Sequence, residues 1–226
     1  MKVHFICGYY SDLAHTSKKR PEDYWDAYFY VWAVKVGKFR RSFFAHKPSG
    51  KIRINRGNFE LVRQWFGDFI VHTLKTENET DDVLLIPVPS KDGVVGEKTF
   101  RTLEMVREAL SKKPFEACIF DGIRWKMKLQ AAHEGGGRSR AFWRDQMVVD
   151  PAVEGRSVVL IDDVLSTGST LLAARDALTA AGATVLGAVT CGRTIYDLDT
   201  KPFGLQEIWV ENELSDYSGN RGASPD

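Results

Sequence analysis

The sequence contains little cysteine, and Cys7, Cys118 and Cys191 lie far apart along the chain. They form neither an even set nor a Cys-x-x-Cys pair, which excludes a disulfide framework and a cysteine-based zinc motif. Isolated cysteines of this kind are typical of reduced thiols, so we expect a cytoplasmic protein.

Long hydrophobic runs and an excess of charge are also lacking. The apolar run in the opening "MKVHFICGYYSD" is too short for a secretory signal, and no apolar stretch is long enough to span a bilayer. The formal net charge is +1 over 226 residues, so no global field favours nucleic acid or a membrane. A hydrophobic content of 43% allows a sizeable core, and we expect no membrane partner.

Strands and helices alternate from about Val83 to Cys191, which predicts an α/β sheet of parallel strands joined by helical crossovers. Continuous apolar or β-branched runs predict strands, and 3.6-residue periodicity predicts helices. The predicted strands are 83–89, 116–120, 156–161, 184–191 and 205–211, and the predicted helices are 58–75, 97–113 and 169–183, the last closed by Gly182.

The first eighty residues do not follow this alternation. Tyr28 to His46 mixes aromatic and β-branched residues around Gly37, which predicts two strands and a turn. We therefore expect a small β-rich, aromatic and basic subdomain over 1–80, a core domain over 81–211 and a flexible tail over 212–226.

Residues 35–56 carry many cations and no acidic side chain. Phenylalanines interleave with them, and basic strands with aromatic residues can bind single-stranded nucleic acid by charge and stacking. Two alternatives stay open: a hairpin with one solvated face, and a contribution to a pocket for a second substrate. The basic residues are Lys35, Lys38, Arg40, Arg41, Lys47, Lys51, Arg53 and Arg56.

The stretch "LIDDVLSTGST", Leu160 to Thr170, runs from an apolar strand into two aspartates and then into small hydroxyl residues before a helix. A helix N-terminus binds phosphate through free N–H groups and its dipole, and Gly168 allows the backbone to approach the anion. Asp162 and Asp163 would repel that phosphate, but they suit vicinal hydroxyls or a divalent cation. A phosphate beside a diol, with Mg²⁺, describes a ribose 5-phosphate. The alternative is a capped helix after an Asp-Asp turn.

This stretch resembles the signature of type I phosphoribosyltransferases that binds 5-phosphoribosyl 1-pyrophosphate (PRPP). The resemblance implies that Asp162 and Asp163, which we call the acidic pair, hold the ribose hydroxyls and Mg²⁺ and take part in catalysis. It also implies that the following residues, which we call the hydroxyl loop, hold the 5′-phosphate. These are Val164, Leu165, Ser166, Thr167, Gly168, Ser169 and Thr170.

Two upstream segments extend the resemblance, most closely to ComF-like phosphoribosyltransferases. "LLIPVPS" is similar to their first core strand and pyrophosphate loop, which implies that Ser90 and Lys91 face the pyrophosphate. "RWKMKLQAAHEGGGRSRAF" is similar to the mobile active-site loop, which implies a catalytic role for Lys128 and Arg138 in a basic hood with Arg124, Lys126 and Arg140. An ordinary strand exit and a solvated basic loop are the alternatives.

The sequence also departs from the ComF-like pattern. It has no cysteine-rich zinc module, and "GVVGEKTFRT" stands where an Arg-Gly-Phe-Asn run is usual. A Walker-type loop is excluded because Gly-x-x-x-x-Gly-Lys-Ser/Thr is absent. A response-regulator acidic pair would lie on an early strand, and here too little chain follows.

Together these features predict an enzyme. It would transfer the phosphoribosyl group from PRPP, with Mg²⁺, to an unidentified acceptor such as a nucleobase, and related folds commonly form homodimers. The alternative is a non-catalytic sensor of PRPP or a nucleotide that acts through a protein or nucleic-acid partner, because fold does not fix function.

Overall fold

A five-stranded sheet forms the centre of the molecule. The computed structural model describes residues 1–10, 21–47, 50–77, 82–128, 140–195 and 200–214. Its strands are β1 Lys2–Tyr9, β4 Leu84–Pro87, β7 Ser157–Leu165, β8 Thr184–Thr194 and β9 Gln206–Trp209. They lie in the order β4-β7-β8-β1-β9, in which only β9 is antiparallel to its neighbour.

Helices cover both faces of this sheet because its strands are apolar on both sides. Val159 and Ile161 of β7 belong to one buried cluster, and Val158 and Leu160 belong to the other. The first cluster packs against α1 Glu22–Val36, α2 Leu61–Thr76 and α3 Arg101–Leu110, and the second packs against α5 Ser169–Ala180. The predicted α/β class with a mostly parallel sheet is confirmed.

Two antiparallel ribbons lie outside the sheet. One pairs β2 Phe43–Lys47 with β3 Gly50–Ile54, and we call it the hairpin. The other pairs β5 Ile123–Trp125 with β6 Met147–Val149, with α4 Arg140–Asp145 shortly before β6. None of the helices in the described part of the chain combines the length and the apolar character needed to cross a membrane.

The expectation of a separate subdomain over 1–80 needs correction. β1 pairs in parallel with β8, from Lys2 opposite Gly187 to Tyr9 opposite Thr194, so the first strand lies inside the main sheet. Its alternate residues, such as Val3 and Phe5, are almost fully buried. This strand was missed because a single strand at the start of a chain shows no neighbouring alternation of elements.

Of the two strands predicted around Gly37, the first is wrong because residues 22–36 form α1, and the second is present only at its end, as β2 Phe43–Lys47. Tyr24, Ala27, Val31 and Val34 lie at helical spacing and are buried, and this tertiary packing overrides the β-propensity of the aromatic residues. Gly37 ends the helix in the left-handed conformation, with φ of 67°, and its N–H donates to the Ala33 carbonyl at 2.9 Å.

Smaller differences lie elsewhere. Glu116–Cys118 forms a 3-10 turn instead of a strand, and only a bridge from Ile119 to Leu85 touches the sheet. Of the predicted flexible tail, Leu214 packs against the core around α5, while 215–226 lie outside the described residues.

Candidate functional site

The acidic pair lies in the last part of β7, at the carboxyl edge of the sheet. The strand continues to Leu165, so the pair is within the ladder and not beyond its end: Asp162 pairs with Thr190 of β8, and Val164 pairs with Gly192. Asp163 is 8% exposed. Ligands of open α/β sheets bind outside this edge, where the strand passes into the helix that follows.

A lysine from α1 neutralises part of the acidic pair. The Nζ of Lys35 lies 3.0 Å from Oδ2 of Asp163 and donates to Oδ1 at 3.2 Å. Lys35 is in the last turn of α1, 128 residues away in the chain. The sequence placed this lysine only in the basic stretch, and no local signal could have paired it with Asp163.

Burial makes the charge on Asp162 costly. Burial, and secondly the charge of Asp163, raise the pKa of the Asp162 carboxyl well above its ordinary value. The backbone N–H of Asp163 donates to Asp162 Oδ1 at 2.7 Å, and this bond and the charges of Lys35 and Arg101 oppose the rise in pKa. The pair therefore needs donors or a cation from outside the chain if both carboxylates are to be charged.

The hydroxyl loop leads from β7 into α5. Gly168 has φ of 81° and is the residue immediately before the first helical turn, which starts at Ser169. The hydroxyls of Thr167 and Ser169 are 2.8 Å apart, and the Leu214 N–H donates to the Thr167 carbonyl at 2.9 Å. The first N–H groups of a helix have no partner within the helix, so α5 directs donors and its positive dipole end toward this loop.

Space around Gly168 is limited. A Cβ there would lie 3.2 Å from Val210 Cγ1 and 3.5 Å from Leu165 Cδ1, in a conformation that side chains rarely adopt. Glycine is therefore required both by the backbone angle and by the packing beneath the loop.

The predicted pyrophosphate residues lie at the end of β4, and one of them has a structural role. The Ser90 hydroxyl donates to Asp92 Oδ1 at 2.6 Å, while Asp92 Oδ2 accepts from the Arg101 N–H at 3.0 Å, at the start of α3. Burial alone would raise the pKa of Asp92, but these hydrogen bonds lower it below its ordinary value. Lys91 is exposed beside them.

The basic hood is only partly described. Arg138 and the three successive glycines lie outside the described residues, and Lys128 is exposed. Three other cations of the hood have internal partners: Arg124 pairs with Asp121, Lys126 donates to the Asp145 carbonyl, and Arg140 pairs with Asp176 of α5. The Arg140 pair ties α4 to the helix that follows the hydroxyl loop.

The donor set of the acidic pair fits Mg²⁺. Among the described residues, no third carboxylate or imidazole joins Asp162 and Asp163 in a metal cluster. Mg²⁺ characteristically takes one or two carboxylates and completes its shell with water and substrate phosphates, so two carboxylates beside a phosphate site are sufficient.

Comparison with known proteins agrees with this geometry. Residues 129–200 match the family model described as "Phosphoribosyl transferase domain", and this segment contains the acidic pair and the hydroxyl loop. The predicted resemblance to the phosphoribosyltransferases is confirmed over this segment.

Two curated relatives match a short part of the chain. Over 35 residues, the chain is 71% identical to an adenine phosphoribosyltransferase of Mycolicibacterium gilvum and 69% identical to one of Mycolicibacterium vanbaalenii. Each match covers 16% of this chain and 20% of the relative, so the chain spans about one fifth of the length of these relatives.

Two solved structures are similar to the chain at low scores. The adenine phosphoribosyltransferase of Saccharomyces cerevisiae gives a TM-score of 0.40 at 14% identity over 73% of this chain and 88% of that one. The orotate phosphoribosyltransferase of Mycobacterium tuberculosis H37Rv gives 0.35 at 14% identity, over 75% and 94% of the respective chains. At such scores, these likenesses add nothing to the fold that the sheet itself shows.

Proposed function

We propose that this protein is a phosphoribosyltransferase that binds PRPP and transfers its phosphoribosyl group to a nucleobase. One observation carries the proposal: an acidic pair whose Asp163 is buried, a glycine in the left-handed conformation and a helix N-terminus follow one another at the carboxyl edge of the sheet. A phosphate at the helix terminus and a diol at the carboxylates satisfy both halves of this arrangement. The matched domain model supports the same conclusion.

In this proposal the described residues mainly bind and orient. Asp162 and Asp163 accept hydrogen bonds from the two ribose hydroxyls, and Val164 to Thr170 hold the 5′-phosphate. Lys35 keeps Asp163 oriented by its ion pair. Lys91, exposed at the end of β4, meets the pyrophosphate, whereas Ser90 orients the backbone there through Asp92.

The transfer breaks the bond between C1 of the ribose and the pyrophosphate oxygen, and forms a bond from C1 to a nitrogen of the acceptor. The pyrophosphate leaves with the bonding electron pair, and the acceptor nitrogen loses its proton. Mg²⁺, when bound, would stabilise the negative charge of the leaving group. Lys91 and Lys128, with Arg138 from the hood, would add cations on the same side of the ligand.

The finer assignments are part of the proposal. They comprise the ComF-like subfamily, the cytoplasmic location, a homodimer and nucleic acid at 35–56. The contacts favour a structural role for much of the basic stretch, because Arg41 lies over Phe29 at 5.0 Å and Lys47 lies over Trp65 at 4.0 Å.

Adenine is the first acceptor to test, since it is named in both short curated matches.

Release of pyrophosphate tests the proposal. The full chain would be incubated with PRPP, Mg²⁺ and one base from a panel of purines and pyrimidines. We expect release with one class of base, and loss of release in Asp162→Asn with Asp163→Asn. If PRPP binds in calorimetry but no base supports release, the protein is a sensor. If PRPP does not bind, the protein is neither a phosphoribosyltransferase nor a PRPP sensor.

A further inference from the structure

A second group of metal-ligating side chains lies at the opposite end of α1 from Lys35. Asp23 and Asp26 come from the first turns of α1, and His46 comes from β2 of the hairpin. One ligand atom from each residue lies within 4.8 Å of the other two. We call these three residues the α1–hairpin cluster.

The imidazole of His46 is held with one nitrogen facing both carboxylates. Its Nε2 lies 3.7 Å from Asp23 Oδ1 and 3.8 Å from Asp26 Oδ2, which is too long for a hydrogen bond. Nε2 is buried and has no hydrogen-bond partner among the residues that the structure describes. Leaving a buried polar atom unpaired is costly, and each such atom in a folded protein calls for an explanation.

The rest of the cluster is arranged around that nitrogen. Asp26 is 7% exposed, and its Oδ1 accepts from the Phe44 N–H at 3.0 Å, which leaves Oδ2 directed toward His46. The ring of Phe203 stacks on the imidazole at 4.3 Å between centroids with planes 18° apart. Hydrogen bonds and packing that orient ligands in this way are typical of the shell behind a metal site.

The spacing suits a transition-metal ion. Zn²⁺ binds histidine nitrogen and carboxylate oxygen at about 2.0–2.2 Å, which places neighbouring ligands of a tetrahedron about 3.4 Å apart. The two distances from His46 exceed this by only a few tenths of an ångström.

We propose that Asp23, Asp26 and His46 bind a divalent transition-metal ion of the Zn²⁺ class, with water in the fourth position. The ion satisfies the orphan nitrogen and links the first turns of α1 to the hairpin. Lys51, whose Nζ lies 2.9 Å from Asp23 Oδ1, occupies one ligand and must withdraw when the ion enters. This site is separate from the acidic pair and does not depend on the proposed transfer reaction.

Titration of the metal-stripped full chain with Zn²⁺ tests the proposal. The variants are His46→Gln and Asp23→Asn, and the matched control is His4→Gln, which alters the other His-carboxylate group of the described residues, with Glu77 and Glu207. We expect wild type and the control to bind one more equivalent of Zn²⁺ than the two cluster variants. Asp23 has a 44% exposed side chain, so its variant retains the fold even if His46→Gln does not.

Two results would overturn the assignment. The first is equal Zn²⁺ binding in wild type and both cluster variants, including no binding in any of them. The second is that the His4→Gln control also lacks the additional equivalent of Zn²⁺. Lys51→Met provides a second measurement, because removing the competing cation should tighten Zn²⁺ binding at least threefold. Unchanged affinity in that variant would also contradict the arrangement.

Discussion

Two pairs of carboxylates, each with a lysine, stand at opposite ends of helix α1. At its last turn, Lys35 reaches the acidic pair on β7; at its first turns, Asp23 and Asp26 meet Lys51. Asp162 and Asp163 are adjacent residues in β7, and the charge of Asp163 contributes to the raised pKa of the Asp162 carboxyl. Asp23 and Asp26 are spaced by nearly one helical turn, so they present two oxygens to a common point.

The surroundings give the two pairs different chemistry. Beside Asp162 and Asp163 lies a helix N-terminus with a glycine-bearing loop, which attracts a phosphate and suits a ligand with hydroxyls. Beside Asp23 and Asp26 lies an imidazole, which adds the nitrogen that a transition metal prefers. In the two proposals, carboxylates therefore bind a sugar phosphate at one site and a transition-metal ion at the other.

The largest expected effect is on PRPP affinity, which should depend on Asp162 and Asp163 and not on Asp23 and Asp26. Asp162→Asn with Asp163→Asn should weaken PRPP binding on the order of a hundredfold or more, because two charge-assisted hydrogen bonds of about 1.5–3 kcal/mol each are lost. Asp23→Asn with Asp26→Asn is the matched control and should leave PRPP affinity unchanged in calorimetry. Similar losses in both double variants would erase the distinction between the sites.

The next effect concerns the phosphate half of the site. Gly168→Val should abolish measurable PRPP and phosphate binding, because the side chain strains a residue with φ of 81° and disturbs the loop. Gly155→Val is the control: Gly155 has φ of 71°, and no atom of the described residues lies within 4 Å of the position that a Cβ would take. Both variants should lose about 1–2 kcal/mol of stability in chemical denaturation. Retained phosphate binding in Gly168→Val would remove the loop from the site.

The pH dependence of folding stability shows whether the charged Asp162 carboxylate destabilises or stabilises the folded protein. Because the folded-state pKa of Asp162 is raised, the native protein holds its proton longer than the unfolded chain, and stability falls as pH rises from the unfolded pKa to the folded pKa. Asp162→Asn removes this loss of stability, because an amide does not titrate. Without ligand or Mg²⁺, the variant should melt at higher temperature than wild type at pH 7, and this advantage should vanish near pH 3. A lower melting temperature at pH 7 would show a structural role for Asp162.

The smallest effect compares the two lysines. Lys35→Met should lower the stability of the ligand-free protein by less than about 1 kcal/mol, because the Lys35 side chain is 39% exposed and solvent screens the ion pair. Lys51→Met should change melting less, since both side chains of the Lys51–Asp23 pair are largely exposed, at 55% and 44%. Denaturant midpoints measured side by side give the comparison, and a larger loss for Lys51→Met would reverse the roles assigned here.

These sites differ in how far the sequence could predict them. One continuous stretch of the chain contains β7, the acidic pair, Gly168 and α5. Their order along the chain was enough to predict the parallel sheet and a site at its edge. Lys35 and Arg101 reach Asp162 and Asp163 only after folding, and the role of Asp92 as the partner of Ser90 depends on where α3 begins. The helix predicted over 58–75 is present as α2, whereas residues 22–36 were misread because tertiary burial favours a helix over the β-propensity of their aromatic residues.

The α1–hairpin cluster had no sequence signal for a related reason. Asp23 and Asp26 share a helix face, but residues 22–36 were not predicted to be helical, so their common direction could not be inferred. His46 joins them only through the pairing of β2 with β3 and the packing of Phe43 on α1. Contacts of this kind come from the fold and not from spacing along the chain.

The central claim is that one ligand presents its phosphate to α5 and its diol to Asp162 and Asp163. Calorimetric titration with ribose 5-phosphate and with 2-deoxyribose 5-phosphate, each with Mg²⁺, tests it most directly. We expect at least about tenfold tighter binding of ribose 5-phosphate to wild type, the value of one charge-assisted hydrogen bond, and equal binding of the two sugars to the Asp162→Asn, Asp163→Asn variant. Equal affinities in wild type would contradict the assignment of the acidic pair to the ribose hydroxyls.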